Sequence, residues 1–268
     1  MISETQMPKS LKEIIDDELE IYKDKRSITA VNHIPDTTRI PIEKPNYWLK
    51  IPNVICVFVD MINSTLLSAN KHDNSTAGIY RLFTSTAIRI FDEFESPYID
   101  VKGDGVFALF NSDQAHRALA AAVTFKTFVE EEFTPKMKKE TGFNIGAHIG
   151  IDQNTVLVRK LGLKRYAGRT DRQNEVWAGK PVNMAAKLSS LTGAGELLVS
   201  NRYFDNFTSE LVLKSCDCGS DGEKVDLWKE IDLSREDKFD FDRAFLLKSR
   251  WCSIHGKEYC EKIINLDE

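Results

Sequence analysis

A run of β-prone apolar residues at 54–59 (VICVFV) is the feature that most constrains the fold of this chain. Apolar residues that do not alternate with polar ones are typical of a strand buried on both faces. We therefore expect this strand to lie inside a sheet that is covered on both sides. The run ends at Asp60, so a carboxylate stands where the buried strand ends.

Further elements follow from turn signals and periodicity. The pair Asp104-Gly105 between two β-prone runs is a strong hairpin signal, and it predicts strands at 98–101 and 106–110. Helical spacing and apolar runs predict the other elements, which are helices at 11–22 and 75–94, a helix with Ser112 or Asp113 as its N-cap, a strand at 143–151, a helix at 180–191 closed by Gly193, and a strand at 197–200. This alternation favours a sheet with helices packed on one or both faces.

The composition is that of a folded, mildly acidic protein. Of the 268 residues, 42% are hydrophobic and 29% are charged, which is ordinary for a globular protein. The 41 acidic and 36 basic residues give a net charge of −5, which argues against a nucleic-acid partner because such partners demand a basic surplus. No apolar run approaches the roughly 18 residues of a membrane span, and residues 1–4 lack the features of a signal peptide. We expect a cytoplasmic protein with no membrane partner.

Asp60 and Asp104 form the first candidate site. Asp60 follows the buried strand, and Asp104 stands at the tip of the hairpin. If strand and hairpin are neighbours in one sheet, both carboxylates project from the same edge. Such a pair can hold two divalent cations that keep open positions for phosphate oxygens. Taken singly, a helix N-cap and a turn aspartate are the ordinary interpretations, and only the combination with the motifs below outweighs them.

Two further segments carry polar groups suited to a nucleotide. Three side-chain donors follow the first aspartate, namely Asn63, Ser64 and Thr65. Free backbone N–H groups of such a turn would suit a triphosphate. In the last predicted helix, Asn183 and Lys187 are four residues apart and so share one face. An amide that can hold a ribose oxygen and a cation that can meet a phosphoryl charge would then point together.

Most cysteines fall late in the chain. A Cys-x-Cys pair, a Cys-x2-His pair and one more cysteine lie there, comprising Cys216, Cys218, Cys252, His255 and Cys260. In a reducing compartment, thiols or metal ligands are expected rather than disulfides. These residues can supply a tetrahedral structural Zn²⁺ site with one ligand to spare. A set of unliganded thiols is the alternative.

Three segments resemble, in order and spacing, the class III nucleotidyl cyclases. They are FVDMINST at 58–65, KGDGVFA at 102–108 and GKPVNMAAKL at 179–188. The resemblance covers about residues 50–202. It implies an α+β, ferredoxin-like catalytic core with helices packed on a mainly antiparallel sheet. It also implies a nucleoside triphosphate substrate and a homodimer with shared active sites.

The same resemblance implies roles for single residues. Asp60 and Asp104 take the places of the two aspartates that bind two divalent cations, Mn²⁺ or Mg²⁺, and the backbone carbonyl of Met61 is a further ligand. Asn183 takes the place of the asparagine that orients the ribose. Lys187 stands where the family usually has an arginine that stabilises the transition state. The charge is therefore kept, and the bidentate geometry is lost.

The positions that would read the base depart from the adenylate cyclases. Asp100 stands where those enzymes usually have a lysine, and Glu175 and Val176 lie at the partner position. A carboxylate accepts hydrogen bonds where a lysine donates them, which argues against adenine and leaves guanine open. The predicted nucleotide-binding set is Phe58, Asn63, Ser64, Thr65, Asp100, Glu175 and Val176.

Within that class, the chain is similar to the stand-alone pyrimidine cyclases of bacterial Pycsar anti-phage systems. This likeness rests on YW at 47–48, on the segment at 58–65 and on NEVWAG at 174–179. It implies UTP as the substrate before CTP, and an effector that the cyclic product activates during infection. A purine cyclase and an inactive cyclase-like interaction module are the alternatives. The expected domains are an N-terminal extension at 1–45, a catalytic domain at 46–235 and a C-terminal extension with the Cys/His cluster at 236–268.

Overall fold

The computed structural model describes residues 3, 5–40, 46–70, 72–163, 172–218 and 222–268. Contacts divide the chain into two compact units, each made of two segments. The smaller unit comprises Met1–Ile51 and Leu157–Ala178, and the larger unit comprises Pro52–Val156 and Gly179–Glu268.

Helices and strands are distributed over the whole of the described chain. The helices are α1 (Lys9–Lys23), α2 (Ser64–Asn70), α3 (Asp73–Glu93), α4 (Ala115–Phe128), α5 (Thr134–Thr141), α6 (Lys180–Ser189), α7 (Asn201–Phe204), α8 (Glu210–Leu213) and α9 (Gly256–Ile264). A π-helical turn, Val129–Phe133, joins α4 to α5, and short 3₁₀ turns lie at Thr37–Arg39 and Asn265–Asp267. The strands are β1 (Ser27–Ala30), β2 (Tyr47–Met61), β3 (Tyr98–Lys102), β4 (Gly105–Phe110), β5 (Ala147–Leu163), β6 (Arg172–Gly179), β7 (Leu197–Ser200), β8 (Trp228–Asp232) and β9 (Arg243–Leu247).

The strands of the larger unit form a sheet in the order β3-β4-β2-β5-β7-β9-β8. The pairs β2–β4, β3–β4, β7–β9 and β8–β9 are antiparallel, and β5 runs parallel to β7. The sheet is therefore mixed and mainly antiparallel, and helices pack against it, which confirms the predicted α+β fold.

One face of this sheet carries the main core. Val57 and Val59 of β2 are fully buried there, in the same cluster as Phe83 of α3 and Phe125 of α4. These two rings meet edge to face, with centroids 5.2 Å apart. Cys56, whose side chain projects from the opposite face of β2, is also fully buried. The prediction of a strand covered on both sides is confirmed.

The other face is covered over β5 by α6. A Cβ at Gly150 of β5 would lie 2.1 Å from the carbonyl oxygen of Ala185 and 2.5 Å from the amide nitrogen of Ser189. Only glycine lets a helix backbone approach a strand this closely. The contact fixes α6 against the sheet and leaves Asn183 of the same helix exposed.

Most of the predicted elements occur, some with shifted ends. The predicted hairpin is β3 and β4, and Gly103 in its turn has a φ of 68°, in the left-handed region. The strand expected at 143–151 begins later and runs further, as β5. The closure of α6 by Gly193 is wrong because the helix ends at Ser189. The Gly193 N–H instead donates to the Glu196 carboxylate at 2.8 Å.

The start of α4 also differs from the prediction. Neither Ser112 nor Asp113 is its N-cap, since the helix begins one residue after Gln114 and has no side-chain cap there. The first free N–H groups donate instead to the carboxylate of Asp267, from His116 at 3.0 Å and Arg117 at 2.8 Å. A carboxylate from the far end of the chain thus satisfies donors that a local cap would otherwise serve.

The C-terminal segment is part of the larger unit. Strand β9 lies between β7 and β8 in the sheet, and α9 packs on α4. The division by contacts therefore does not follow the predicted boundary at 235 and 236, because residues on both sides of it build one sheet. The functional division of the chain into three segments stays a prediction.

The smaller unit contains α1, β1 and β6. Strand β1 runs parallel to the first half of β2, with Ser27 opposite Tyr47, and β6 pairs with β5. The predicted helix at 11–22 is confirmed as α1, yet its apolar stripe is largely exposed, with Leu11 and Tyr22 at 50% and 69%. In the described part of the chain, no helix has both the length and the apolar character needed to cross a membrane.

Candidate active site

Asp60 and Asp104 lie together on the edge of the sheet formed by β2 and the hairpin. Val59 of β2 pairs with Val106 of β4, so Asp60 reaches the level of Gly105 and its neighbour Asp104. A Cβ at Gly105 would lie 3.2 Å from Oδ1 of Asp60, which shows how closely the carboxylate covers the hairpin end. The expected arrangement of strand and hairpin side by side is therefore present.

The electrostatics of this pair are unfavourable for two carboxylates alone. Burial raises the pKa of Asp60, and the charge of Asp104 raises it further, whereas His148 and the Met61 N–H lower it. Within the described ranges, neither carboxylate forms an ion pair with a lysine or arginine. A divalent cation would relieve both the burial cost and the mutual repulsion. The residues present thus fit a metal site.

The turn after Asp60 is held by backbone and side-chain hydrogen bonds. The Ile62 N–H donates to the Gly146 carbonyl at 3.0 Å. Asn63 adopts a left-handed φ of 64°, and its Nδ2 donates to the Asn144 carbonyl at 2.8 Å. Helix α2 begins at the next residue, Ser64. The amide group of Asn63 thus holds the turn, while Thr65 is exposed in the first turn of α2.

The other predicted nucleotide-binding residues of the larger unit share one face of the sheet. Phe58 of β2 pairs with Phe107 of β4, which pairs with Asp100 of β3. The ring of Phe58 reaches towards Gly105, where a Cβ would lie 3.0 Å from its Cζ. Asp100 is an ion-pair partner of Lys102, at 2.7 Å. An acceptor and a donor therefore stand side by side next to the aspartate pair.

The remaining base-reading candidates lie on β6 in the smaller unit. Glu175 forms an ion pair with Lys160 of β5, at 3.6 Å. Val176 is its neighbour on the same strand and is half-buried.

Helix α6 presents the two predicted catalytic residues. Asn183 is exposed, and Nζ of Lys187 donates to the carbonyl of Lys238 at 2.7 Å. In the described part of the chain, neither forms a hydrogen bond or an ion pair with Asp60 or Asp104. Within the described residues of a single chain, the α6 residues are therefore not joined to the acidic pair by any polar interaction.

His148 is a site neighbour that the sequence analysis missed. It lies on β5 and lowers the pKa of Asp60 through its charge. Its Nδ1 is 2.6 Å from the carbonyl oxygen of Thr192, and since a carbonyl only accepts, Nδ1 carries a proton. A histidine within an otherwise apolar strand was the signal available.

Of the five sulfur and imidazole residues predicted to bind zinc, the structure brings four together. The ligand atoms of these four all lie within 4.8 Å of one another, and they belong to Cys216, Cys218, Cys252 and His255. Cys260 is outside this group. It lies on α9 and packs against the main core, where burial raises the pKa of its thiol.

Comparison with known proteins gives two relatives that cover most of the chain. A uridylate cyclase from Propioniciclava tarda is 38% identical over 234 residues, which are 84% of this chain and 73% of that protein. A uridylate cyclase from Micromonospora echinofusca is 34% identical over 244 residues, 90% of this chain and 78% of that protein. No protein-family model matches the chain.

Solved structures support the fold. The adenylyl cyclase CyaB from P. aeruginosa superposes with a TM-score of 0.58 over 75% of this chain and 95% of that chain. The two sequences are 16% identical, so this likeness concerns the architecture alone. It matches the mixed sheet with helices packed against it.

Proposed function

Since this chain belongs to the family of class III nucleotidyl cyclases that contains the uridylate cyclases, we propose that it converts UTP to 3′,5′-cyclic UMP and pyrophosphate. The observation that carries the proposal is the acidic pair Asp60 and Asp104, which is half-buried and, among the described residues, forms no ion pair with a lysine or arginine, in a chain with these relatives. An intact pair of this kind also argues against an inactive interaction module.

Asp60 and Asp104 would hold two divalent cations, Mn²⁺ or Mg²⁺, with the Met61 carbonyl as a further ligand. Bound cations supply positive charge to the triphosphate and lower the pKa of the ribose 3′ hydroxyl. Asp60 is suited to this because its burial and the charge of Asp104 disfavour its ionised form until a cation is present.

The reaction is an intramolecular phosphoryl transfer. The 3′ oxygen forms a bond to the α-phosphorus, the bond from that phosphorus to the bridging oxygen of the β-phosphate breaks, and the hydroxyl proton passes to water. Asn183 orients the ribose, and Lys187 places a positive charge near the phosphoryl oxygens. The turn with Ser64 and Thr65 faces the triphosphate with N–H and hydroxyl donors.

Asp100 and Lys102 are the base-reading pair that we propose in the larger unit. An ionised carboxylate accepts from the uracil N3–H, and an ammonium donates to a neighbouring carbonyl oxygen. Guanine and cytosine also offer a donor beside an acceptor, so the choice of UTP rests on the two relatives rather than on this pair.

A competition experiment tests the substrate. Purified protein with Mn²⁺ and equimolar ATP, GTP, CTP and UTP should yield mainly cyclic UMP, and Asp104→Ala should form it about 10²–10³-fold more slowly. Predominant cyclic AMP or cyclic GMP would overturn the uridylate assignment and leave a purine cyclase. Absence of any cyclic nucleotide with all four substrates would overturn the cyclase mechanism at this site.

We also propose that the active sites are shared in a homodimer. The support is that, among the described residues of one chain, Lys187 donates to Lys238 and forms no hydrogen bond with the acidic pair. Mixing Asp60→Ala with Asn183→Ala subunits should restore part of the activity, because one site of each heterodimer is then intact. Two variants that stay inactive after demonstrated subunit exchange would place the whole site within one chain.

Anti-phage signalling is the biological role that we propose, with cyclic UMP activating a separate effector. Its support is the resemblance to Pycsar cyclases. Cells that carry the gene with its neighbours should accumulate cyclic UMP after infection and form fewer plaques, and Asp104→Ala should remove both effects. Equal plaque numbers with the active and the inactive protein would rule out this role.

A further inference from the structure

The cluster formed by Cys216, Cys218, Cys252 and His255 lies apart in sequence from the acidic pair and is independent of the proposed reaction. Its four ligand atoms lie within 4.8 Å of one another. We propose that these residues bind one structural Zn²⁺ ion, with three thiolates and one imidazole nitrogen as ligands. We call this group the thiol–imidazole cluster.

The sulfur atoms converge without forming a disulfide, and all the cysteines of the cluster are free thiols. Sγ of Cys218 lies 2.9 Å from that of Cys216 and 3.2 Å from that of Cys252. A disulfide requires about 2.0 Å, whereas Zn–S bonds of about 2.3 Å in a tetrahedron separate two sulfurs by about 3.8 Å. Three thiols and an imidazole thus converge on one point, and sulfur atoms about 0.6–0.9 Å further apart would give the spacing of a zinc tetrahedron.

His255 supplies an independent observation. Its Nδ1 is buried and has no hydrogen-bond partner among the residues that the structure describes. A buried ring nitrogen without a partner is costly, and coordination to a metal would satisfy it. His255 is also the residue that provides the fourth ligand beside the three cysteine sulfurs.

The backbone around Cys252 is arranged to support a thiolate. The Ile254 N–H donates to Sγ of Cys252 at 3.4 Å, and the Gly256 N–H donates to the Cys252 carbonyl at 2.8 Å. Hydrogen bonds to a ligating sulfur are characteristic of metal sites, because they orient the ligand and stabilise its charge. These two hydrogen bonds hold the turn at 252–255 in the conformation that directs Sγ of Cys252 towards the other ligands.

The ligand set favours zinc over the cations expected at the acidic pair. Three thiolates and one imidazole are soft ligands, and a closed set of four protein ligands is typical of structural zinc. Magnesium and manganese prefer carboxylate, carbonyl and water oxygens. The two sites of the larger unit would thus select different metals by ligand chemistry.

The ion would join two segments that are distant in sequence. Cys216 and Cys218 follow α8, whereas Cys252 and His255 precede α9. Next to them, the Trp251 indole N–H donates to Thr124 of α4 at 2.8 Å. A zinc ion here would fix the turn that docks the C-terminal segment on α4. Its binding energy would then contribute to the stability of the fold.

Zinc content of the purified protein is the first test. We expect about one zinc ion per chain by elemental analysis, less than a tenth of that in Cys218→Ser, and an unchanged content in Cys260→Ser. Cys260→Ser is the matched control because this cysteine lies on α9 and outside the cluster. Cys218 is exposed, so its replacement leaves the core intact.

Cobalt substitution of the wild-type protein makes the test independent of variants. Protein freed of zinc by a chelator should bind Co²⁺ and show thiolate-to-metal charge-transfer bands with tetrahedral d–d absorption, and zinc should displace the cobalt. The melting temperature should fall on zinc removal and recover on its return. No zinc together with no cobalt bands, equal zinc loss in both serine variants, or a disulfide among these cysteines in the freshly purified protein would overturn the proposal.

Discussion

Burial raises the pKa of both Asp60 and Asp152, but the two carboxylates have neighbours of opposite charge. Asp152 is fully buried and faces Arg202, whose Nε and Nη2 donate to its two oxygens at 2.7 and 2.6 Å. Asp60 faces a second carboxylate, Asp104, which raises its pKa further. The chain places an arginine beside the acid that supports the fold, and a second carboxylate beside the acid that we propose as a ligand of a divalent cation.

The ion pair at Asp152 is extended towards the helix that carries the proposed catalytic residues. Nη1 of Arg202 donates to Asp240 at 2.9 Å, and Lys180 at the start of α6 donates to the same oxygen at 2.7 Å. This network ties α6 to the sheet, so it supports the position of Lys187 and its exposed neighbour Asn183. The comparison therefore separates a network that positions α6 from the aspartate pair that we propose as the metal site.

Removing the cation of the paired acid should have the largest effect. Arg202→Ala leaves Asp152 buried and uncompensated, and we expect the free energy of unfolding to fall by about 3–5 kcal/mol. Arg202→Lys should recover part of this, because it keeps the charge and loses the fork. Urea unfolding measures both variants. If Arg202→Ala lowered the free energy of unfolding by less than about 1 kcal/mol, the fold would not depend on the pairing of Asp152 with Arg202.

Removing a carboxylate from the pair Asp60 and Asp104 should leave the fold intact and strongly slow the reaction. Asp104→Ala should lower the rate of cyclic nucleotide formation about 10²–10³-fold, because a cation in such a site contributes several kcal/mol. Its free energy of unfolding should change by less than about 0.5 kcal/mol, as for an ordinary surface substitution. Asp92→Ala, which removes an exposed carboxylate of α3, is the matched control. Wild-type rates in Asp104→Ala would remove the metal assignment.

The features that sequence reasoning predicted well depend on local signals. The buried run at 54–59 and the Asp-Gly hairpin each specify their own backbone, and once they are neighbours the positions of Asp60 and Asp104 follow. The same reasoning located the thiol–imidazole cluster by residue type. It could not exclude Cys260, because only the packing of α9 shows that this thiol faces the apolar core.

The features that were missed depend on partners distant in sequence. The start of α4 is capped by Asp267 across 151 residues, so no pattern near Ser112 could reveal it. Arg202 and His148 are single polar residues whose partners are set by strand order. The strand order itself, with β9 between β7 and β8, determines that the C-terminal segment completes the sheet.

The third prediction, with a smaller effect, is that the stability of the protein depends on a divalent cation through Asp60. In a chelator, Asp60→Asn should melt at a higher temperature than the wild type, because a neutral amide removes the repulsion with Asp104. Saturating Mn²⁺ should raise the melting temperature of the wild type and leave that of Asp60→Asn nearly unchanged, since ligand binding stabilises only the form that binds. An equal rise in both proteins would mean that the cation binds elsewhere.

The smallest expected effect is the pH dependence of the difference in stability between Asp60→Asn and the wild type. The folded pKa of Asp60 lies above the ordinary value of 3.8, first through burial and then through Asp104. Between the unfolded and the folded pKa of Asp60, the folded state binds more protons than the unfolded state. The contribution of the protonated Asp60 carboxyl to stability is therefore complete below the unfolded pKa and is lost as pH rises through the folded pKa. In a chelator, the advantage of Asp60→Asn in urea should therefore be near zero below about pH 4 and grow to a plateau at neutral pH. Saturating Mn²⁺ should reverse the sign, because the cation binds the ionised carboxylate and stabilises the wild type more as pH rises. An advantage of the amide that is the same at every pH would show that it arises from packing and not from charge.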